Sequence, residues 1–275
     1  MHATTITVFD TPCIRLEAEG ASALVALHGA HVLSWVPVDG RERLFLSERS
    51  RFTEGASIRG GIPVIFPQFS ERGAFRRHGF ARLRPWRFVG VEATQAVFEI
   101  STTSEDRDWP FASLIQLRIA LTATQLAVTL VVKNSGTVPF HFTAALHTYL
   151  AVSDSRNAQL EGLQGCDYED SANGGTLHRQ SDYTVMFEGE TDRIYSDVVA
   201  PLVLTDGAHT LEISQEGFGD AVVWNPGERL AAGIGDLAPG DWQRFICVEA
   251  GQVLQPVVLT LGETWCGVQW LNSGV

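Results

Sequence analysis

Short apolar runs with a period of two, cut by turn residues, dominate the sequence and narrow most strongly the folds open to it. They include residues 23–27, 32–36, 97–101, 114–121, 126–132, 198–204, 211–214, 221–224, 245–249 and 255–261. Turn signals lie between them: Val38-Asp39-Gly40, Asn134-Ser135-Gly136, Asp206-Gly207, Asn225-Pro226-Gly227 and Pro239-Gly240-Asp241. Few segments hold a 3.6-residue period for three turns. Regular short strands with such punctuation predict an all-β chain, a sandwich or a barrel. No linker, low-complexity tract or fixed-period repeat interrupts the 275 residues, so one domain over 1–275 is the simplest organisation.

Two stretches depart from the strand pattern. Residues 58–86 carry prolines and glycines among aromatics and arginines, which predicts a long ordered loop on a rigid scaffold, a usual place for function. Residues 154–192 are polar and glycine-containing and can frame a site rim. Charge sharpens the first reading. The chain carries a formal −12, which argues against nucleic acid and anionic membrane as partners. Nineteen of its twenty basic residues are arginine, Lys133 being the exception, and eight arginines fall within 51–87. Only Glu54 and Glu71 oppose them, leaving +6 there. A local anion site and a merely solvated arginine-rich face both fit that count.

The four cysteines, Cys13, Cys166, Cys247 and Cys266, have no C-x-x-C spacing. The opening MHATTITVFD has no apolar signal core, and no run reaches membrane-spanning length. The expectation is a soluble protein of the reducing cytoplasm. Dinucleotide and phosphate-loop fingerprints are absent, as are a G-x-S-x-G elbow, H-x-H and H-E-x-x-H. Chemistry is therefore expected from side chains and substrate, with no metal or other cofactor. His147 lies among apolar neighbours in Ala145-Leu146-His147-Thr148-Tyr149-Leu150, where a packed core histidine and a catalytic one are both open. On a strand, Phe245, Cys247 and Glu249 share one face. A carboxylate on an apolar face needs a partner, a cleft or a raised pKa, unless the strand simply ends in water. A histidine and a glutamate are together a minimal acid–base pair.

Seven motifs, in order, carry a family resemblance. They begin with Gly29-Ala30-His31-Val32-Leu33-Ser34-Trp35 and Leu44-Phe45-Leu46-Ser47. Next come Ile58-Arg59-Gly60-Gly61-Ile62-Pro63, with Phe66-Pro67-Gln68-Phe69 and His78-Gly79-Phe80-Ala81-Arg82 behind it. Leu146-His147-Thr148-Tyr149, Thr191-Asp192-Arg193-Ile194-Tyr195, Val223-Trp224-Asn225-Pro226 and Cys247-Val248-Glu249-Ala250 complete the series. Over nearly its whole length the chain resembles the hexose-6-phosphate mutarotases, also called glucose-6-phosphate 1-epimerases, of the aldose 1-epimerase superfamily.

The resemblance implies a large antiparallel β-sandwich of galactose mutarotase type and an isomerase that interconverts the α and β anomers of a hexose 6-phosphate. It implies His147 as general acid, Glu249 as general base, and Arg59, Arg82 and Asp192 as substrate-binding residues. Arg77 stands where relatives often have glutamine, so it either adds charge or replaces a hydrogen bond. His78 either touches the phosphate or orients the loop. After Pro226 the family's aromatic is replaced by Gly227. Trp35, Trp86 and Trp224 are expected mainly in packing. Acid and base are expected on opposite sides of one cleft, about a sugar ring apart. The partner is a small-molecule sugar phosphate, and the protein is expected to be a monomer or weak dimer. A mutarotase of unphosphorylated aldoses, a non-catalytic carbohydrate-binding protein and a metal-dependent barrel enzyme are the alternatives. The arginine loop, the His147/Glu249 pair and the lack of clustered ligands speak against them in turn.

Overall fold

In the strand Ser113–Leu121 buried and half-buried residues alternate from end to end, which is the period-two pattern realised as one sheet face turned to the core. The computed structural model describes residues 1–53 and 55–274, so Glu54, one of the two acids counted against the arginines, lies outside the described residues. The strands form three sheets, and every pairing in them is antiparallel. A four-stranded meander runs in chain order through His2–Val8, Thr11–Ala18, Ala21–Ala26 and His31–Val36. A nine-stranded sheet is centred on Thr264–Asn272 and Gln125–Asn134. The eight-stranded sheet carries Thr191–Tyr195, Asp220–Asn225, Phe245–Leu259 and Phe140–Leu146 side by side. No helix among the described residues is long and apolar enough to cross a membrane.

The main core lies between the two large sheets. Ile246, Val248 and Ala250 of Phe245–Leu259 join it, together with Leu117, Leu130 and Ile213 of the nine-stranded sheet. Their neighbours Phe245 and Cys247 point the other way, into a smaller cluster with Phe45, Tyr149 and Leu237. The face shared by Phe245, Cys247 and Glu249 is therefore the outer, loop-covered face of the sheet.

Two apolar runs read as separate strands, 245–249 and 255–261, belong to one fifteen-residue strand, Phe245–Leu259. A bulge divides it: Phe142 pairs with Val257, but Ala144 pairs with Gln252. The bulged Val253 and Leu254 N–H groups both donate to Asp220 Oδ2, at 2.7 and 2.8 Å. Opposite the bulge, Thr143 turns to the arginine-rich loop; its N–H donates to Pro67 O at 3.0 Å, and its Oγ1 accepts from Phe69 N–H at 2.8 Å. Between 58 and 86 the structure has only the two-residue strand Val64–Ile65 and the turn of 3₁₀ helix Ala81–Leu83, as an ordered loop requires. The run at 198–204 becomes strand only from Leu202.

Candidate active site

The chain breaks at His147, between the strands Phe140–Leu146 and Tyr149–Ala151. Hydrogen bonds fix the break from both sides. His147 N–H donates to Pro63 O at 3.0 Å and Tyr149 N–H to Gly61 O at 2.9 Å. Thr148 O accepts from Val248 N–H at 3.1 Å, and its hydroxyl donates to Gln269 Oε1 at 2.5 Å. Ser47 and Ser50 hold the backbone of Arg59: Ser47 N–H and the Ser50 hydroxyl donate to Arg59 O, and Arg59 N–H donates to Ser50 Oγ. Gly61 has φ +61°, and a Cβ there would lie 2.1 Å from Val32 O, so only glycine permits this close approach.

These elements wall a cleft of about 790 Å³ on the outer face of the eight-stranded sheet. His147 and Glu249 lie at its floor, 8 % and 1 % exposed, with Nδ1 and Oε1 3.2 Å apart. The expected separation of one sugar ring is thus corrected: the two side chains expected as acid and base are in contact. His147 stacks on Tyr149, with centroids 4.7 Å apart and planes 8° apart, and Trp224 meets it edge-on at 5.8 Å. Trp224 therefore lines the site, whereas Trp35 and Trp86 are core residues, 0 % and 3 % exposed.

Burial favours the neutral form of both members of the pair. It drives Glu249 well above the usual carboxylate range; Asp192 pushes the same way and Arg82 opposes. It drives His147 well below the usual imidazole range, with His78, Arg82 and Arg59 adding repulsion. The 3.2 Å contact therefore counts as proximity rather than as an ion pair, in keeping with the lack of a hydrogen-bond partner at His147 Nδ1 and Glu249 Oε2.

The eight arginines of 51–87 divide by position. Arg59, Arg72, Arg77 and Arg82 line the cleft; Arg84 and Arg87 are bound elsewhere, to Asp106 and Asp108 and to Glu99. Arg59 donates from Nε to Asp236 Oδ1 at 3.0 Å and from Nη1 to Tyr149 Oη at 2.9 Å. Arg82 is the exceptional one. Its Nε is buried without a partner, it forms no ion pair among the described residues, and burial lowers its pKa to about 10. Arg77 is exposed, lines the cleft and is likewise without an ion pair among the described residues. His78 also lines it; its Nδ1 accepts from Ser70 N–H at 3.3 Å, which leaves the proton on Nε2. Burial and then Arg82, Arg77 and Arg59 lower its pKa to about 3.

Across the cleft Asp192 is half-buried, its pKa raised to about 6 by burial and by Glu190. The rim expected from 154–192 is present as Glu169, Ser171, Gly174, Gly175 and Glu190, with Glu169 paired to Arg72. Where the aromatic after Pro226 is missing, Leu230 and Ile234 supply wall. Sequence reasoning brought together His147, Glu249, Arg59, Arg77, His78, Arg82 and Asp192, and all seven line this one cleft. It missed Asp236, which carries no local signal, placed Arg72 and Glu169 only as members of the arginine-rich stretch and the rim, and gave Tyr149 no role. No group of three or more His, Cys, Asp or Glu side chains among the described residues is arranged to hold a metal ion.

Comparison with known proteins bears on the family and the fold. The family model described as Aldose 1-epimerase matches residues 12–272. A Cenchrus ciliaris protein named "Putative glucose-6-phosphate 1-epimerase" is 33 % identical over 265 residues, covering 91 % of this chain and 80 % of that one. An Escherichia coli K12 protein of the same name is 32 % identical, covering 82 % and 78 %. Among solved structures, "a putative mutarotase (YeaD) from Salmonella typhimurium" superposes with a TM-score of 0.89 at 28 % identity, covering 98 % of this chain and 92 % of that one. A galactose mutarotase-like protein from Lactobacillus casei shares the fold, with a TM-score of 0.77 at 17 % identity over 94 % and 99 % of the two chains.

Proposed function

This chain belongs to the aldose 1-epimerase family, and on that premise we propose that it interconverts the α and β anomers of a hexose 6-phosphate, glucose 6-phosphate foremost. The observation that carries the reading is the contact of Glu249 with His147 at the floor of a cleft whose wall holds Arg59, Arg77 and Arg82. Ring opening removes the proton of the C1 hydroxyl and adds one to the ring oxygen as the C1–O5 bond breaks. Glu249 takes the first proton and His147 gives the second. Rotation about C1–C2 and reversal of both transfers deliver the other anomer. The pair holds one mobile proton throughout: carboxylate with imidazolium while the ring is closed, carboxyl with neutral imidazole while it is open. Burial, by favouring the neutral forms, lowers the free energy of the open-chain stage relative to the closed one. Two groups that would titrate far from neutrality in opposite senses if isolated can thereby exchange a proton through the sugar.

Arg82 and Arg59, helped by Arg77 and the Nε2–H of His78, bind the phosphate. A guanidinium whose Nε is buried without a partner is costly unless an anion meets it, and a phosphate accepts its planar fork. Asp192 accepts from sugar hydroxyls. The described cysteines are all free, which supports a reducing, cytoplasmic setting, and the acidic chain is read as a monomer or weak dimer with no nucleic-acid partner.

NMR exchange spectroscopy of anomer interconversion tests the reading, with glucose 6-phosphate and free glucose compared side by side. Catalytic amounts of enzyme are expected to accelerate the phosphorylated sugar far more. Equal acceleration of both would remove the phosphate assignment, and acceleration of neither would remove the activity. Arg82→Ala and Arg59→Ala are each expected to weaken glucose 6-phosphate by roughly 10- to 100-fold, the worth of one charge-assisted hydrogen bond, and to lose more on that sugar than on free glucose.

A further inference from the structure

His147 is asked to be a cation in a place that discourages cations. It touches Glu249 from the long strand, Tyr149 lies flat on it, and the ring of His78 is 5.9 Å from its own. Arg59 and Arg82 reach the same end of the cleft from the arginine-rich loop. Among the described residues only Asp236 offsets either arginine, and it meets Arg59 alone. Asp236 is bound to Arg59 Nε, and no acid among the described residues pairs with Arg82. Asp192, on the neighbouring strand Thr191–Tyr195, acts on Glu249 rather than on His147.

Resting on the hexose-phosphate reading, we propose that the arginine end of the cleft is a separable oxyanion site: a free phosphite or phosphate dianion held by Arg59, Arg82 and His78 activates ring opening of an unphosphorylated hexose at His147 and Glu249. A dianion brings two negative charges to a place where two guanidiniums face the acid. It thereby offsets the repulsion that adds to burial in holding His147 neutral and favours the imidazolium from which the ring oxygen takes its proton. Covalent attachment of the phosphate delivers this charge with the sugar, so preference for phosphorylated sugar is written into turnover as well as into binding. The step balances without consuming the dianion. The imidazolium proton goes to O5 as C1–O5 breaks, the carboxylate takes the O1 proton as the carbonyl forms, and closure returns both.

The test uses the full-length enzyme and free glucose in the NMR exchange assay, with phosphite added. Phosphite itself promotes mutarotation in solution, so enzyme-free controls are subtracted. Saturable activation of roughly tenfold or more is expected, the gain that follows from raising the imidazolium fraction by one pKa unit. Arg82→Met is expected to abolish the saturable part. In wild type without sugar, the imidazole ¹⁵N signals of His147 are expected to titrate about one unit higher with phosphite bound. This arm needs neither turnover nor a variant. If glucose 6-phosphate is accelerated while phosphite leaves glucose exchange or the His147 titration unmoved, the inference is wrong and the function stands. Inhibition by phosphite also overturns it, because the neutral imidazole would then be the working base. If glucose 6-phosphate is not accelerated, both readings fall.

Discussion

In the proposed mechanism His147 and Glu249 divide one proton between them, so each is expected to be indispensable. His147→Ala and Glu249→Gln are each expected to lower kcat roughly 100-fold or more, the usual worth of a general acid or base, with smaller changes in sugar-phosphate binding. Near-normal turnover in either variant would remove that residue from its role. Asp236 acts one step back. By holding Arg59 Nε at 3.0 Å, while Tyr149 Oη accepts from Nη1, it leaves the rest of the guanidinium to face the cleft. Asp236→Asn is expected to raise KM for glucose 6-phosphate several-fold, with a smaller change in kcat and a smaller effect on free glucose. Equal losses on the two sugars would make Asp236 merely structural. Asp192 shows function set against stability. Its carboxyl titrates at about 6 in the folded protein against an ordinary value of 3.8, so over that interval the folded state holds the proton more tightly than the unfolded one. The sign follows: stability falls as pH rises through this window, and above it the charged carboxylate is a net burden. Asp192→Asn is expected to flatten the pH dependence of urea unfolding between about pH 4 and 6 and to add about 1–2 kcal/mol above it, while binding sugar less well.

The strand Phe245–Leu259 carries both Glu249, the proposed base, and the bend that organises the loop opposite. Asp220→Ala would leave the Val253 and Leu254 N–H groups without their acceptor, at about 1–3 kcal/mol for each buried donor. Loss of a comparable amount in urea denaturation is expected, together with lower kcat, because Thr143 would no longer present Pro67 and Phe69 in register. A stable, fully active Asp220→Ala enzyme would show that the bulge does not position the loop. The alternation of Phe245, Cys247 and Glu249 against Ile246 and Val248 was plain in the sequence, since period two alone decides which face a side chain takes. The bulge was not, because residues 250–254 only separate two apolar runs; what joins them is a carboxylate thirty-odd residues away in sequence. The cleft's wall was legible for a similar reason. Proline, glycine and arginine at 58–86 announce irregular, charged backbone, and the quoted motifs named its members. Asp236 was illegible, since a single acid in a polar turn has no pattern, and only the fold brings it to Arg59. The strand at 202–206 began later than the apolar run because Pro201 precedes it.

One apolar cluster includes Ile14, Val64, Phe98, Leu146, Val248 and Leu271, so chain segments from both termini and the middle share a single interior. The last strand, Thr264–Asn272, pairs with Gln125–Asn134 on one side and His209–Glu216 on the other. Among the described residues no boundary divides these contacts into halves with separate cores, and we propose that residues 1–275 unfold as one cooperative unit. Far-ultraviolet dichroism and tryptophan fluorescence are then expected to give coincident transitions, as two-state unfolding requires. The ligand adds a sharper requirement. The cleft is assembled from the loop at 58–86, the break at His147, the strand at Asp192 and the strand at Glu249, so a sugar phosphate bound there binds only the folded whole. At 100 times its dissociation constant it should stabilise by about 2.7 kcal/mol. For a chain of this length that corresponds to a rise in Tm of roughly 5 °C or more, shared by both probes. A transition that splits under ligand, with dichroism unmoved while fluorescence shifts, would show that the arginine-rich loop unfolds apart from the sheets and that the cleft is not built on a single cooperative scaffold.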